Sequence, residues 1–294
     1  MKKLHVQVQQ LFNLLLLLIV GKYIADIYLT WAEISIILFF ALGSEHILLY
    51  VKHKRLNFFS FSSLSTAIGV ILMMVSTNYY LYFILIFFAL FQKHFLYYNK
   101  QHFFNPSNFA LIMGLLFFYH DTHIVIGQLG DSLWLAVLVC IVAVWILYRV
   151  NRLIIPFGFI IAYLFFQYTI IGSTDPVFIM EDIYYRFYSV SFILFILFML
   201  TDPRTTPSKG IYQIGFSIIL AFMATYLDYH YGFRVQHMFV ALFLLSPWVL
   251  LFESYINSSD KYKLLSFFFV VVFLALSAIL YIENQAPYYF EMNG

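Results

Sequence analysis

Ser189–Pro207, SVSFILFILFMLTDPRTTP, is the stretch on which the fold turns. It runs almost wholly apolar as far as Leu200, then meets an Asp, two prolines and an Arg. Proline lacks an N–H and biases its predecessor away from helix, so Asp202-Pro203 ends a helix near Thr201. The Ser, Thr and Asp side chains of such a turn can bond the freed backbone groups. The stretch reads as a membrane helix ending at an ordered loop; on its own, a well-made turn explains it equally.

Composition sets the class. Hydrophobic residues make up 63% of the chain, charged residues 10%, and the mean hydropathy is +0.88. Soluble chains are about half apolar and a quarter charged, so this is a polytopic membrane protein with the lipid bilayer as its first partner. Cys140 is the only cysteine, which excludes an intrachain disulfide and a cysteine-ligated iron–sulfur cluster or zinc ribbon built from this chain alone. Basic residues are dispersed one or two per loop, unlike a nucleic-acid-binding face. There is no GxGxxG, P-loop, HExxH or nucleophile elbow. Met1-Lys2-Lys3 precedes an apolar run without a small-residue cleavage site, which reads as an uncleaved first span.

Apolar segments of bilayer length recur near 11–28, 32–51, 61–77, 79–98, 105–119, 132–150, 153–172, 186–200, 210–227, 235–253 and 263–282. The expectation is therefore an all-α fold of ten or eleven spans. The fifth and eighth are short, as broken or re-entrant helices are. With the N-terminus inside, only Lys22, Arg186 and Arg234 of the 16 basic residues fall on or near the outer side. That bias places TDPRTTP in the cytoplasm and, with eleven spans, the C-terminus outside. It suits a bacterial cytoplasmic (inner) membrane.

Splitting the first ten spans into five and five gives two halves, 1–130 and 131–258, followed by an added helix and tail, 259–294. Five spans per half would invert the second copy. The third span then matches the eighth, the fifth matches the tenth, and MMVSTNYY (Met73–Tyr80) matches MLTDPRTTP. The eleventh span has no counterpart and reads as a helix that docks a partner.

Three polar islands interrupt the apolar background. Ser62-Ser63-Leu64-Ser65-Thr66 offers hydroxyls and close helix approach. In Asn105-Pro106-Ser107-Asn108, Asn105 can cap a helix that opens with Pro106, presenting N–H donors and a positive dipole end. In Thr201-Asp202-Pro203-Arg204-Thr205, Arg204 can grip a phosphate or a ring edge, or simply anchor the loop at the headgroups. Helix packing and capping explain each island taken singly.

Taken together, SSLST, the basic segment Lys93–His102 leading into FNPSNFAL, the arginine-flanked Arg152–Pro156 and FMLTDPRTTP resemble the RnfD/NqrB family of membrane subunits. HFFNPSNFAL is similar to a divergent RnfD-like branch labelled enediyne-biosynthesis protein. The resemblance runs from about residue 60 to 253. It implies two inverted five-helix repeats, as in urea transporters, and flavin- or quinone-linked electron transfer coupled to ion movement beside other redox subunits. It also implies a noncovalent flavin (riboflavin or FMN) or a quinone held by the three islands, with Phe61, Phe104 and Phe109 stacking on its ring. Members with covalent FMN carry a Ser/Thr-Gly-x-Thr motif in the outer loop after the NPxN helix; here His120–Asp131 holds Thr122 without that motif, so covalent FMN is not expected.

Ionisable residues inside spans are candidates by default. Glu45 suits a cation or proton site, or a simple ion pair; His237 lies in the tenth span; a His46/His94 pair could ligate a haem. Two other classes stay open beside a redox subunit: a channel or carrier for a small solute, and a scaffold for partner subunits.

Overall fold

The computed structural model describes residues 6–24, 27–54, 61–98, 101–125, 133–173, 183–184, 186–187, 189–255 and 270–284. Among these, a helix stands in each predicted span. They are α1 (Val6–Ile24), α2 (Trp31–His53), α3 (Phe61–Met73), α4 (Tyr80–Phe95), α5 (Pro106–Phe117), α6 (Leu133–Val150), α7 (Ile154–Phe166) and α8 (Val190–Leu194). After them come α9 (Gly210–Tyr231), α10 (Gln236–Tyr255) and α11 (Val270–Asn284). Gln7–Ile24, Trp31–His53, Ile154–Ile171 and Gly210–Tyr231 are long and apolar enough to cross a bilayer. The chain is a mostly helical membrane protein.

Local chemistry accounts for several boundaries. Thr30 and Glu33 form a reciprocal capping box at the start of α2, with Glu33 N donating to Thr30 Oγ1 at 3.3 Å and Thr30 N to Glu33 Oε2 at 2.8 Å. Asn105 caps α5, its Oδ1 accepting from Asn108 N at 3.2 Å, and Pro106 opens the helix as expected. The short fifth and eighth helices are also found: α5 has 12 residues, and α8 has 5 before a π-helical turn at Phe195–Met199. A second π turn, Gln167–Ile171, extends α7. Such turns recur at functional sites.

Two antiparallel ribbons interrupt the helices. β1 (Met74–Ser76) pairs with β4 (Thr122–Ile124), Val75 facing His123; β2 (Tyr97–Tyr98) pairs with β3 (Gln101–His102). The first ribbon gives the backbone beyond the short α3 its partners, and Tyr82 adds a hydroxyl bond to Met74 O at 2.7 Å.

In the first half α1 packs on α3, α2 on α4 and α4 on α5. In the second half α6 packs on α8, α7 on α9 and α9 on α10. Across the halves, α1 meets α6 and α5 meets α10. α11 lies against α5 and α10: Phe273 packs its ring at 6.1 Å from Phe104 and 6.0 Å from Phe243, and Asn284 Nδ2 donates to Leu115 O at 3.2 Å. One face of this helix is therefore occupied by the chain itself. Residues 256–269 and 285–294, which include the start of the expected eleventh span and the tail, lie outside the described residues.

Candidate functional site

The three islands come together. Asn105 Nδ2 donates to Asp202 Oδ2 at 3.2 Å, joining the cap of α5 to the loop after α8 across 97 residues of chain. Asp202 shapes that loop from within: Oδ1 accepts from Arg204 N at 3.0 Å, and its carbonyl accepts from Thr205 N at 3.2 Å and Thr206 Oγ1 at 2.7 Å. Arg152, buried between α6 and α7, donates through Nε to Thr206 Oγ1 at 3.2 Å. On the other side, Ser107 Oγ donates to Thr66 O at 3.2 Å, tying α5 to α3.

Between these elements lies a cavity of about 210 Å³. It is lined by Ser62, Ser65, Thr66, Asn105, Pro106, Thr201, Asp202, Pro203 and Arg204, with Gln7 and Gln10 of α1 and Leu147 of α6. Three of the expected site residues stand elsewhere. Ser63 and Thr205 are fully buried off the cavity, and Asn108 spends its Nδ2 on Phe239 O at 3.1 Å. Inside the cavity, the Ser65 and Thr66 hydroxyls donate to Phe61 O and Ser62 O of their own helix, both at 2.9 Å, so their lone pairs are what they offer a guest. No protein-family model matches this chain, and no curated protein is significantly similar to it.

Among the lining residues that were not expected, Gln7, Gln10, Ser107 and His102 are polar, and His102 stands out. His102 is 5% exposed, faces the cavity from β3, and its Nδ1 has no hydrogen-bond partner among the described residues. Its sequence signal, a histidine three places before the NPSN cap, is too weak to single it out. Burial holds the imidazole below its ordinary value, partly offset by Asp202. His102 therefore takes up its proton at lower pH in the folded chain than in the unfolded chain, which does so below about pH 6.5. Stability should fall as pH drops through that value. His102→Gln should flatten that part of the melting-temperature profile, and an unchanged profile would assign the loss to other groups.

The aromatic expectation fails. Phe104 and Phe109 lie 5.4 Å apart by ring centroid and pack on Phe243 at 4.7 and 6.2 Å, filling the α5–α10 contact; neither they nor Phe61 line the cavity. Close packing also fixes the cavity wall. A Cβ at Gly69 would stand 2.7 Å from Ser107 Oγ and 3.2 Å from Ser107 Cβ. Gly69→Val should thus cost about 1–3 kcal/mol through overpacking and pry α3 from α5. A melting temperature equal to wild type would contradict this.

Glu45 is an ion-pair partner: Lys93 Nζ lies 2.7 Å and His94 Nε2 2.9 Å from its carboxylate oxygens. His46 Nδ1 sits 2.6 Å from Leu42 O on its own helix, so the two rings proposed as haem ligands each engage protein groups. Thr122 is buried in β4 and donates to Phe118 O at 3.0 Å; a Cβ at Gly114 would come within 2.9 Å of its hydroxyl.

Asp228, Arg186 and their surroundings depart most from expectation. The sequence sets Arg186 on or near the outer side, within reach of water, yet Arg186 and its partner Asp228 are 3% exposed. Asp228 Oδ2 accepts from Arg186 Nη1 at 3.1 Å, Gln167 Nε2 at 2.8 Å and Tyr163 Oη at 3.2 Å, and Oδ1 pairs with Arg234 N at 3.1 Å and His237 Nδ1 at 2.8 Å. Arg186 also donates to Tyr163 Oη, and its guanidinium carbon stands over the Phe233 ring, 3.3 Å from its centroid. Gln167 enters this network from the π turn of α7.

Proposed function

We propose that the chain is an RnfD/NqrB-like subunit of the bacterial inner membrane, acting in flavin- or quinone-linked electron transfer beside other redox subunits. One observation carries the reading: the islands that carry the resemblance line one cavity at the α5 cap.

The residues fit a planar ring that bears carbonyl and N–H groups. Arg204, exposed at the rim, can donate to carbonyl oxygens, while the lone pairs of the Ser65 and Thr66 hydroxyls and the Asp202 carboxylate accept from N–H groups. His102 Nδ1 is a buried polar atom that such a guest would satisfy. At about 210 Å³ the cavity falls below the roughly 300–1,000 Å³ of drug-sized pockets, so it holds a ring while any chain or ribityl tail stays outside. Bound there, a flavin or quinone supplies one- or two-electron transfer; the protein supplies position and hydrogen bonds.

Inverted repeats belong to the same proposal. The matching packing of α1–α3, α2–α4 and α4–α5 with α6–α8, α7–α9 and α9–α10 supports them, as do the contacts α1–α6 and α5–α10 between counterparts. Both halves also bury a carboxylate bridged between their second and fourth helices, Glu45 held by Lys93 and Asp228 by Gln167. Charge bias supports an inward N-terminus and a cytoplasmic TDPRTTP loop.

The visible spectrum of the purified chain tests the reading. Flavin absorption and fluorescence that precipitation releases into the supernatant, or a quinone in its lipid extract, is expected. A colourless, quinone-free preparation that makes liposomes permeable to a small polar solute would replace the reading with a carrier.

A further inference from the structure

The buried network around Asp228 lies apart from the cavity and has chemistry of its own. A carboxylate only accepts hydrogen bonds, so in a neutral His237 the proton sits on Nδ1, facing Asp228 Oδ1 at 2.8 Å. Nε2 is then left with a bare lone pair. That atom is fully buried and has no hydrogen-bond partner among the described residues. Gln167 Oε1, Arg186 Nε and Thr225 Oγ1 share the condition, and Thr225 stands one turn before Asp228 on α9. Three unpartnered polar atoms on residues that bind one carboxylate, with a fourth one turn away, mark a place where water belongs inside the helix bundle.

We propose that His237 is a proton-binding site oriented by Asp228. Nε2 takes a proton from a hydronium ion in water that reaches this cluster; an N–H bond forms, water leaves, and Asp228 stays ionised and holds the imidazolium. The charge of the Asp228–Arg186–His237 group rises from zero to plus one. The groups facing it are Tyr163 on α7, Arg186, Tyr231 at the end of α9, Arg234 before α10 and Tyr281 on α11. Tyr119, at the end of α5, meets Arg234 Nη1 at 3.5 Å. The two arginines oppose the added charge and the carboxylate favours it. His237 is thus placed as a relay, a buried base with a fixed tautomer within a span, independent of what the cavity holds.

Nitrogen NMR of the ¹⁵N-histidine-labelled full chain in lipid nanodiscs, titrated from about pH 8 to about pH 5, tests it. His237→Gln assigns the resonance among the nine histidines. Should that variant not fold, the hydrogen-bonded Nδ1 proton of the wild type assigns it instead. The expected result is an Nδ1–H tautomer with bare Nε2 at the alkaline end, gaining an Nε2 proton as the pH falls while the chain stays folded. A ring that already carries Nε2–H at the alkaline end, or that stays unprotonated until the chain unfolds, overturns the proposal.

Discussion

Asp228→Ala is expected to lower stability by about 3–5 kcal/mol, the cost of stranding one member of a buried ion pair. Arg186 would remain buried with its charge uncompensated, and Tyr163, Gln167 and His237 would lose a shared acceptor. The midpoint of denaturant-induced unfolding in detergent micelles reads the loss. Replacing both charges, Asp228→Leu with Arg186→Met, should recover much of it, because two apolar side chains leave no orphaned ion. If Asp228→Ala unfolds at the wild-type midpoint, the network contributes nothing and Arg186 must find another partner.

Asn105→Ala and Asp202→Asn should each abolish ligand retention. The first removes the cap of α5, worth about 0.5–2 kcal/mol, together with the donor that reaches Asp202. The second keeps the side chain's shape and removes its charge, so a cavity-bound N–H loses its ionic acceptor. Ligand per mole of protein, read by extraction after purification, is the measurement. Circular dichroism should report a folded chain in both cases. If both variants keep a full complement, the cavity is not where the ligand sits.

Elements set by near neighbours were readable in advance. The α5 cap is legible because Asn105 and Pro106 act on the turn that follows them, and the end of the helical run through Met199 because Asp202-Pro203 disfavours its continuation. The convergence of the islands came from a family resemblance, since no local rule ties Asn105 to a residue 97 positions away. The Arg186–Asp228 pair was not legible in the sequence for a physical reason. Hydropathy treats each charge as a mark of water, whereas Arg186 and Asp228, 42 positions apart, compensate each other and can be buried. The ribbon of β1 with β4 escaped notice because three-residue strands carry no alternation long enough to read. Phe104 and Phe109 were legible as aromatic but not as to what they would touch.

The Asn105–Asp202 bond also bears on how the chain is made. When α5 leaves the ribosome its cap residue has no carboxylate to bind, and 97 more residues must be added before one arrives. During that interval Ser62, Thr66 and Asn105 stand without the loop that completes their enclosure. An insertase or a neighbouring subunit that shelters the early half would then shorten the time in which a nascent chain can be misassembled or degraded.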